Sequence, residues 1–204
     1  QQCGQPAERK RAAWPGQACQ AAHRPLADRQ ARRSEKRAVQ AKARLMHAHP
    51  RFQWKDEPAI RAFVGERSFG TLILATDEGI KIAQAPAVWM GDTVLAVHLS
   101  RANALVPHLD GARCLFVVQG ADAYVSPDWY GLDDQVPTWS YVSAELEGVA
   151  HVTDDLGLMT IVDALSWEHE RRLAPKAPWT RAKMSDGLFD KMCKAIIGFT
   201  IEVD

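Results

Sequence analysis

Between Phe116 and Tyr141 the chain reads FVVQGADAYVSPDWYGLDDQVPTWSY, setting Tyr124, Trp129, Tyr130, Trp139 and Tyr141 around Pro127 and Pro137 in a loop between two strand-like runs. Four of these aromatics carry a hydroxyl or lie beside a Thr or Ser, so stacking surface and hydrogen-bonding groups come together, as the wall of a ring-binding pocket requires. The same residue types also fill cores, and composition alone leaves both readings open. Other chemistries fail on spacing. His47 and His49 form an HxH without a third ligand and precede the folded region, while Glu168, His169 and Glu170 are consecutive on a helix and point to different faces. The sequence contains no GxSxG, no P-loop and no GxGxxG.

The formal charge of zero conceals two unlike parts. Residues 1–45 hold eleven Lys or Arg against three acids, a net of +8, which leaves −8 for residues 46–204 because the whole chain has 25 of each sign. The first part is rich in Ala, Arg and Gln and poor in large aliphatics, so it cannot bury enough apolar surface to offset chain entropy. It is expected to be a disordered or loosely helical extension, with Met46 as the natural start; the alternative is a basic arm for nucleic acid or acidic surfaces. It has no apolar core of a secretory signal and only Ser34 where a transit peptide would be Ser-rich. Cys3, Cys19, Cys114 and Cys193 form no CxxC pair and read as free thiols of a reducing compartment. No apolar run is long enough to cross a bilayer, and a cytoplasmic protein is expected.

The elements that must position any site follow from periodicity. Asp56 caps a short helix with Pro58 in its first turn and Ile60, Phe63 and Val64 on one face. Strands are expected at Ser68 to Thr76, Lys81 to Met90 with Pro86 at an edge or bulge, Thr93 to Leu99, Arg113 to Val118 and Asp122 to Ser126. Val142, Ala144, Leu146, Ala150 and Val152 then alternate with polar residues, one face inward, and Gly148 marks a bend or bulge. From Asp154 the period becomes helical, with Leu158, Ile161, Val162, Leu165 and His169 on one face. Ser185 caps a last helix, GLFDKMCKAII, that Gly198 stops before the strand FTIEV. With no α/β alternation, the fold expected is mainly β with flanking helices, a six-stranded antiparallel barrel.

FGTLI, HLSRAN, VVQGADAYVSPDWY, VPTWSYV and GFTIEV, in that order over about Met46 to Asp204, closely resemble the PaiB family, FMN-binding negative transcriptional regulators with a split β-barrel like that of pyridoxamine 5'-phosphate oxidases. The resemblance implies an FMN-binding split-barrel domain over 46–204 that forms a homodimer with FMN in a groove between subunits. Ser100, Arg101 and Asn103 would offer the phosphate a hydroxyl, a guanidinium fork, an amide and unpaired backbone donors. His98 would face the flavin or sit as an interior histidine. Gln119 would meet the pyrimidine edge, with Gly120 allowing close approach and Ala85 and Pro86 giving backbone contacts. Trp129, Tyr130, Thr138, Trp139 and Tyr141 would cover the ring or build the dimer contact. Family members continue beyond the last strand with a KxSQN-like segment, whereas this sequence ends at Asp204.

Three function classes follow. The first is a regulatory or flavin-sensing protein, in which direct DNA binding would have to lean on the basic arm, since the −8 body shows no helix-turn-helix. The second is an FMN-dependent oxidoreductase, in which the flavin supplies the redox chemistry and Tyr124, His98 or Tyr141 the proton transfers. The third is a haem-binding split barrel with His98 or His151 as axial ligand.

Overall fold

The computed structural model describes residues 52–204, so the basic arm, Cys3, Cys19, His47 and His49 lie outside the described residues. Helix α1 (Glu57–Arg67) starts as its cap predicts: the Asp56 carboxylate accepts from Ala59 N at 3.0 Å, and Pro58 occupies the first turn. It ends at Ser68, whose left-handed φ of 50° is held by its backbone N–H to Val64 O and its hydroxyl to Gly65 O. The chain passes directly into the first strand, so the last turn of α1 lies beside the start of the sheet.

Strands β1 (Phe69–Thr76), β2 (Gly79–Trp89), β3 (Val94–Ser100), β4 (Arg113–Val125), β5 (Thr138–Val152) and β6 (Ile196–Val203) close into an antiparallel barrel in the order β1-β2-β3-β6-β5-β4. Alternation assigns the faces. Leu72, Leu74, Leu95, Val97, Phe116, Val118, Leu146, Phe199 and Ile201 fill the interior, and Ile60 and Val64 of α1 join that core. Helix α2 (Asp155–Glu170), capped by Asp154 accepting from Gly157 N at 2.8 Å, lays Ile161 and Leu165 on Ala96 outside the barrel. The short α3 (Leu188–Cys193) leads into β6.

Four sequence expectations change. The runs at 113–118 and 122–126 are one strand, β4, with a register shift between Gln119 and Asp122. Register passes through Gly148 unbroken; a Cβ there would lie 2.2 Å from Glu202 O, so this glycine serves the close approach of β6. Gly198 lies inside β6 instead of stopping a helix, because a side chain there would meet Thr153 and the backbone of α2 at Leu158. Gly187, not Ser185, occupies the cap position of α3. Cys114 and Cys193 are buried free thiols, and burial pushes the Cys114 thiol up to about 11, which removes it as a nucleophile.

Candidate functional site

The last turn of α1 delivers Glu66 and Arg67 to the outer face of β1, β2 and β4. There Phe69, Gly70, Thr71, Gln84, Val117 and Gln119 complete a groove of about 390 Å³. Register fixes this neighbourhood, since Thr71 pairs with Gln84 on one side and with Val117 on the other. The Gln84 amide donates to the Thr71 hydroxyl at 2.9 Å, and Arg67 Nε donates to the backbone carbonyl of Gln119 at 3.1 Å. The next row of the sheet extends the site: Ser143 pairs with Gln119 and Glu145 with Val117. Ser143 Oγ is buried without a partner, and burial raises the Glu145 carboxyl above its ordinary range.

Beside the groove the barrel splits. Strand β2 pairs with β1 from Gly79 to Pro86 and then with β3 from Ala87 to Trp89, so the ladder between β2 and β3 spans only Ala87–Val97 to Trp89–Leu95. Pro86 stands at the change of partner, where its missing N–H costs no ladder bond, and the Ala87 N–H turns to Ser68 O at 2.9 Å. The stretch of β2 that carries Gln84 and Ala85 therefore faces the end of β3, His98 to Ser100, across an unzipped edge.

The turn after β3 is less open than its sequence suggests. The N–H of Arg101 goes to Ala195 O, that of Ala102 to Ser100 Oγ and that of Asn103 to Ser100 O. The Asn103 side-chain Oδ1 accepts from Leu105 N at 3.0 Å. These backbone donors are engaged, which corrects the expectation of unpaired ones. Arg101 donates through Nε to Lys194 O and through Nη2 to Ile196 O, tying the end of α3 to the start of β6. His98 pairs with Gly198 on the face opposite Leu99; its Nδ1 is buried without a partner, and burial holds its pKa below the ordinary value. His151 is exposed.

The structure removes core filling as an account of the aromatic loop. The ends of β4 and β5 run on past the barrel as a two-stranded ribbon, with Asp122–Tyr141 to Val125–Thr138 paired. On and beyond it Trp129 is 72% and Trp139 62% exposed, and Tyr130, Thr138 and Tyr141 are exposed as well. Tyr124 meets Trp139 edge to face at 6.2 Å. None of these side chains lines the groove of its own chain. Gly120 has a local explanation: a Cβ there would lie 3.1 Å from the Phe63 ring of α1 and 3.0 Å from Val142.

Of the residues picked from sequence, the fold brings Gln119 into the groove and Ser100, Arg101, Asn103 and His98 to the far lip of the split, and leaves the aromatics on the ribbon. Glu66, Arg67, Thr71, Gln84, Ser143 and Glu145 were missed. Strand alternation carried a signal for Thr71 and Gln84, polar residues on the face opposite Leu72, Ala83 and Ala85. Arg67 carried none, since a basic residue in the last turn of a helix is ordinary dipole compensation. Among the described residues no group of His, Cys, Asp and Glu could hold a metal ion, and no helix is long and apolar enough to cross a membrane.

A family model described as "Putative FMN-binding domain" matches residues 46–204. Uncharacterized protein YKL070W of Saccharomyces cerevisiae is 28% identical over 119 residues, 53% of this chain and 70% of that protein. The FAD and heme binding protein from Mycobacterium smegmatis has a TM-score of 0.52 at 18% identity, covering 72% of this chain and 66% of its own, so this chain spans just under two thirds of its length. A Bacteroides thetaiotaomicron protein described as a "putative 5-nitroimidazole antibiotic resistance protein" has a TM-score of 0.51 at 10% identity, covering 74% of this chain and 81% of its own. At these identities the structural likenesses establish the fold.

Proposed function

The chain belongs to the FMN-binding domain family and its cofactor is FMN; from that premise we propose that residues 46–204 are a flavin-binding domain that works as a homodimer, in the manner of PaiB-type regulators. The observation that carries this reading is the split between β2 and β3, which joins the groove at Thr71, Gln84 and Gln119 to the turn at Ser100, Arg101 and Asn103. The donor set fits the cofactor. Gln84 and Gln119 offer amides able both to donate and to accept, the unpartnered Ser143 Oγ adds a buried hydroxyl, and the open edge of β2 at Gln84 and Ala85 adds backbone groups. The phosphate would lie toward Ser100 and Asn103, with Arg101 keeping the turn in shape through its ties to Lys194 and Ile196.

When bound, FMN supplies one- or two-electron redox chemistry, and the chain's residues hold and orient it and limit its contact with water. The ribbon completes the site from a second copy. A two-stranded ribbon exposed on both sides is marginal in water, and Trp129, Trp139 and Tyr141 present the stacking surface that a planar ring or a partner's ribbon would cover. DNA contact through the −8 body is not part of this reading; control of transcription would be indirect, through the flavin state. A cytoplasmic setting suits two buried free thiols.

One observation favours the second reading, an FMN-dependent oxidoreductase. The Glu145 carboxyl, its pKa raised by burial and its residue paired in register with the groove residue Val117, is the acid nearest the groove on β5 and would be the group to exchange a proton beside the flavin. The test of the main reading is a fluorescence titration of the protein with FMN and with riboflavin, alongside sedimentation. Saturable, FMN-preferring binding by a dimer is expected. A folded protein that binds neither flavin would end the reading.

A further inference from the structure

We propose that Arg67 is an oxyanion seat at the α1 end of the groove, taking a phosphate or carboxylate group; this rests on the flavin reading only for the identity of the neighbouring molecule. The guanidinium groups of the described residues differ in how far they are committed to the protein. Among the described residues the other arginines each place a terminal nitrogen on a carboxylate or a backbone carbonyl, as Arg101 does on Ile196 O, Arg113 on Asp204, Arg172 on Gly65 O and Glu66 O, and Arg181 on Asp163. Arg67 alone commits only Nε, to Gln119 O, and leaves both terminal nitrogens without a protein partner among those residues. That single bond anchors the guanidinium to β4 while its two-nitrogen fork stays available, the arrangement that bidentate recognition of an oxyanion needs.

The surroundings suit such a ligand. Arg67 lines a groove that also offers the Gln84 and Gln119 side-chain amides, and the space of about 390 Å³ exceeds what one small anion fills. Glu66 also lines it, one residue away on the helix and so on a different azimuth. Its carboxylate disfavours a bare dianion and favours an anionic group on a molecule that also carries a donor. Two sources share this chemistry: an acidic second molecule that meets a flavin whose phosphate lies toward Ser100 and Asn103, or the phosphate of FMN itself, if the flavin lies the other way round with its tail toward α1 in place of that turn.

The experiment uses wild type, Arg67→Gln, Arg67→Lys and Arg181→Gln, with folding checked by circular dichroism. The probes are inorganic phosphate, FMN and riboflavin, and the readouts are phosphorus NMR line broadening and flavin fluorescence. Arg67→Gln should weaken the oxyanion interaction by roughly tenfold or more, with Arg67→Lys recovering part of it and Arg181→Gln, at an arginine paired with Asp163 outside the groove, sparing it. Loss of the preference for FMN over riboflavin in Arg67→Gln supports the seat and assigns it to the cofactor's phosphate. Retention of that preference with loss of phosphate binding to the FMN-loaded protein supports the seat and assigns it to a second molecule. Arg67-dependent phosphate binding without flavin binding keeps the seat and sinks the flavin reading instead. Unchanged phosphate binding and unchanged flavin preference in Arg67→Gln overturn the proposal, as does a wild type that binds none of the three probes.

Discussion

The turn after β3 and the groove beside α1 contain the same kinds of groups and use them in opposite ways. At the turn, Arg101, Asn103 and the backbone N–H groups are engaged with the protein itself, stitching β3 to α3 and β6. In the groove, Arg67 and Gln119 are joined by one bond and otherwise face outward. A motif such as SRAN attracts attention because its residue types suit a phosphate, yet donors serve a ligand only to the extent that the fold has left them unspent. The comparison separates a part of the site that supports from a part that can receive.

The largest expected effect attacks the groove through its floor. A Cβ on Gly70 would lie 2.5 Å from the Phe116 ring and 2.6 Å from Val117 O, at the ladder that closes β1 on β4. Gly70→Ala should therefore cost about 3 kcal/mol in chemical denaturation. A near-neutral result would show that this closure is loose and that the groove has no fixed floor. Next comes the contrast between arginines. Arg101→Gln releases the carbonyls of Lys194 and Ile196 and should cost on the order of 1 kcal/mol, whereas Arg67→Gln should stay within about 0.5 kcal/mol. Equal losses would erase the division between supporting and receiving. Thr71→Val removes the hydroxyl that accepts from Gln84; stability should hardly move, while FMN affinity falls by about threefold in a titration.

The smallest effects are in pH dependence, and the two regions should differ in sign. His98, two residues before the turn, has a pKa lowered by burial, so the folded state favours its neutral form. Its contribution is complete above the ordinary value of 6.5 and is lost as pH falls below it. Glu145, beside the groove, is raised by burial, so its contribution is complete below its ordinary value of 4.5 and is lost as pH climbs from there through the raised pKa. Denaturation midpoints measured from pH 4 to 8 should flatten on the acid side of neutrality in His98→Asn and just above the ordinary Glu range in Glu145→Gln. Identical profiles for all three proteins would remove both assignments.

How much of this was legible beforehand depends on range. Caps and alternation are local, so α1, α2 and the inward residues Ala144, Leu146 and Ala150 of β5 were readable from Asp56, Asp154 and the alternation itself, while Val142, in the same phase, lies exposed where the strand runs on past the barrel. The misreadings arose where a distant element decides. Gly198 reads as a helix stop until Thr153 and Leu158 stand over it, and Gly120 reads as room for a ligand until Phe63 occupies that room. The engagement of Arg101 depends on Lys194 and Ile196, more than ninety positions away, and no spacing near residue 101 announces it. Arg67 was overlooked for the converse reason, since its freedom becomes visible only once the partners of the other arginines are known.

The barrel order has a consequence for how the chain comes into being. Strand β6, sixth in chain order, occupies the slot between β3 and β5, with Val94 matched to Glu202 and Ala150 to Ile201. On the ribosome, the five earlier strands emerge while that slot is empty, and two strand edges stay open until β6 itself clears the exit tunnel. Open edges recruit foreign strands, so the barrel is vulnerable for as long as β6 has yet to emerge, and a stall anywhere after β5 and before β6 is out should prolong that exposure.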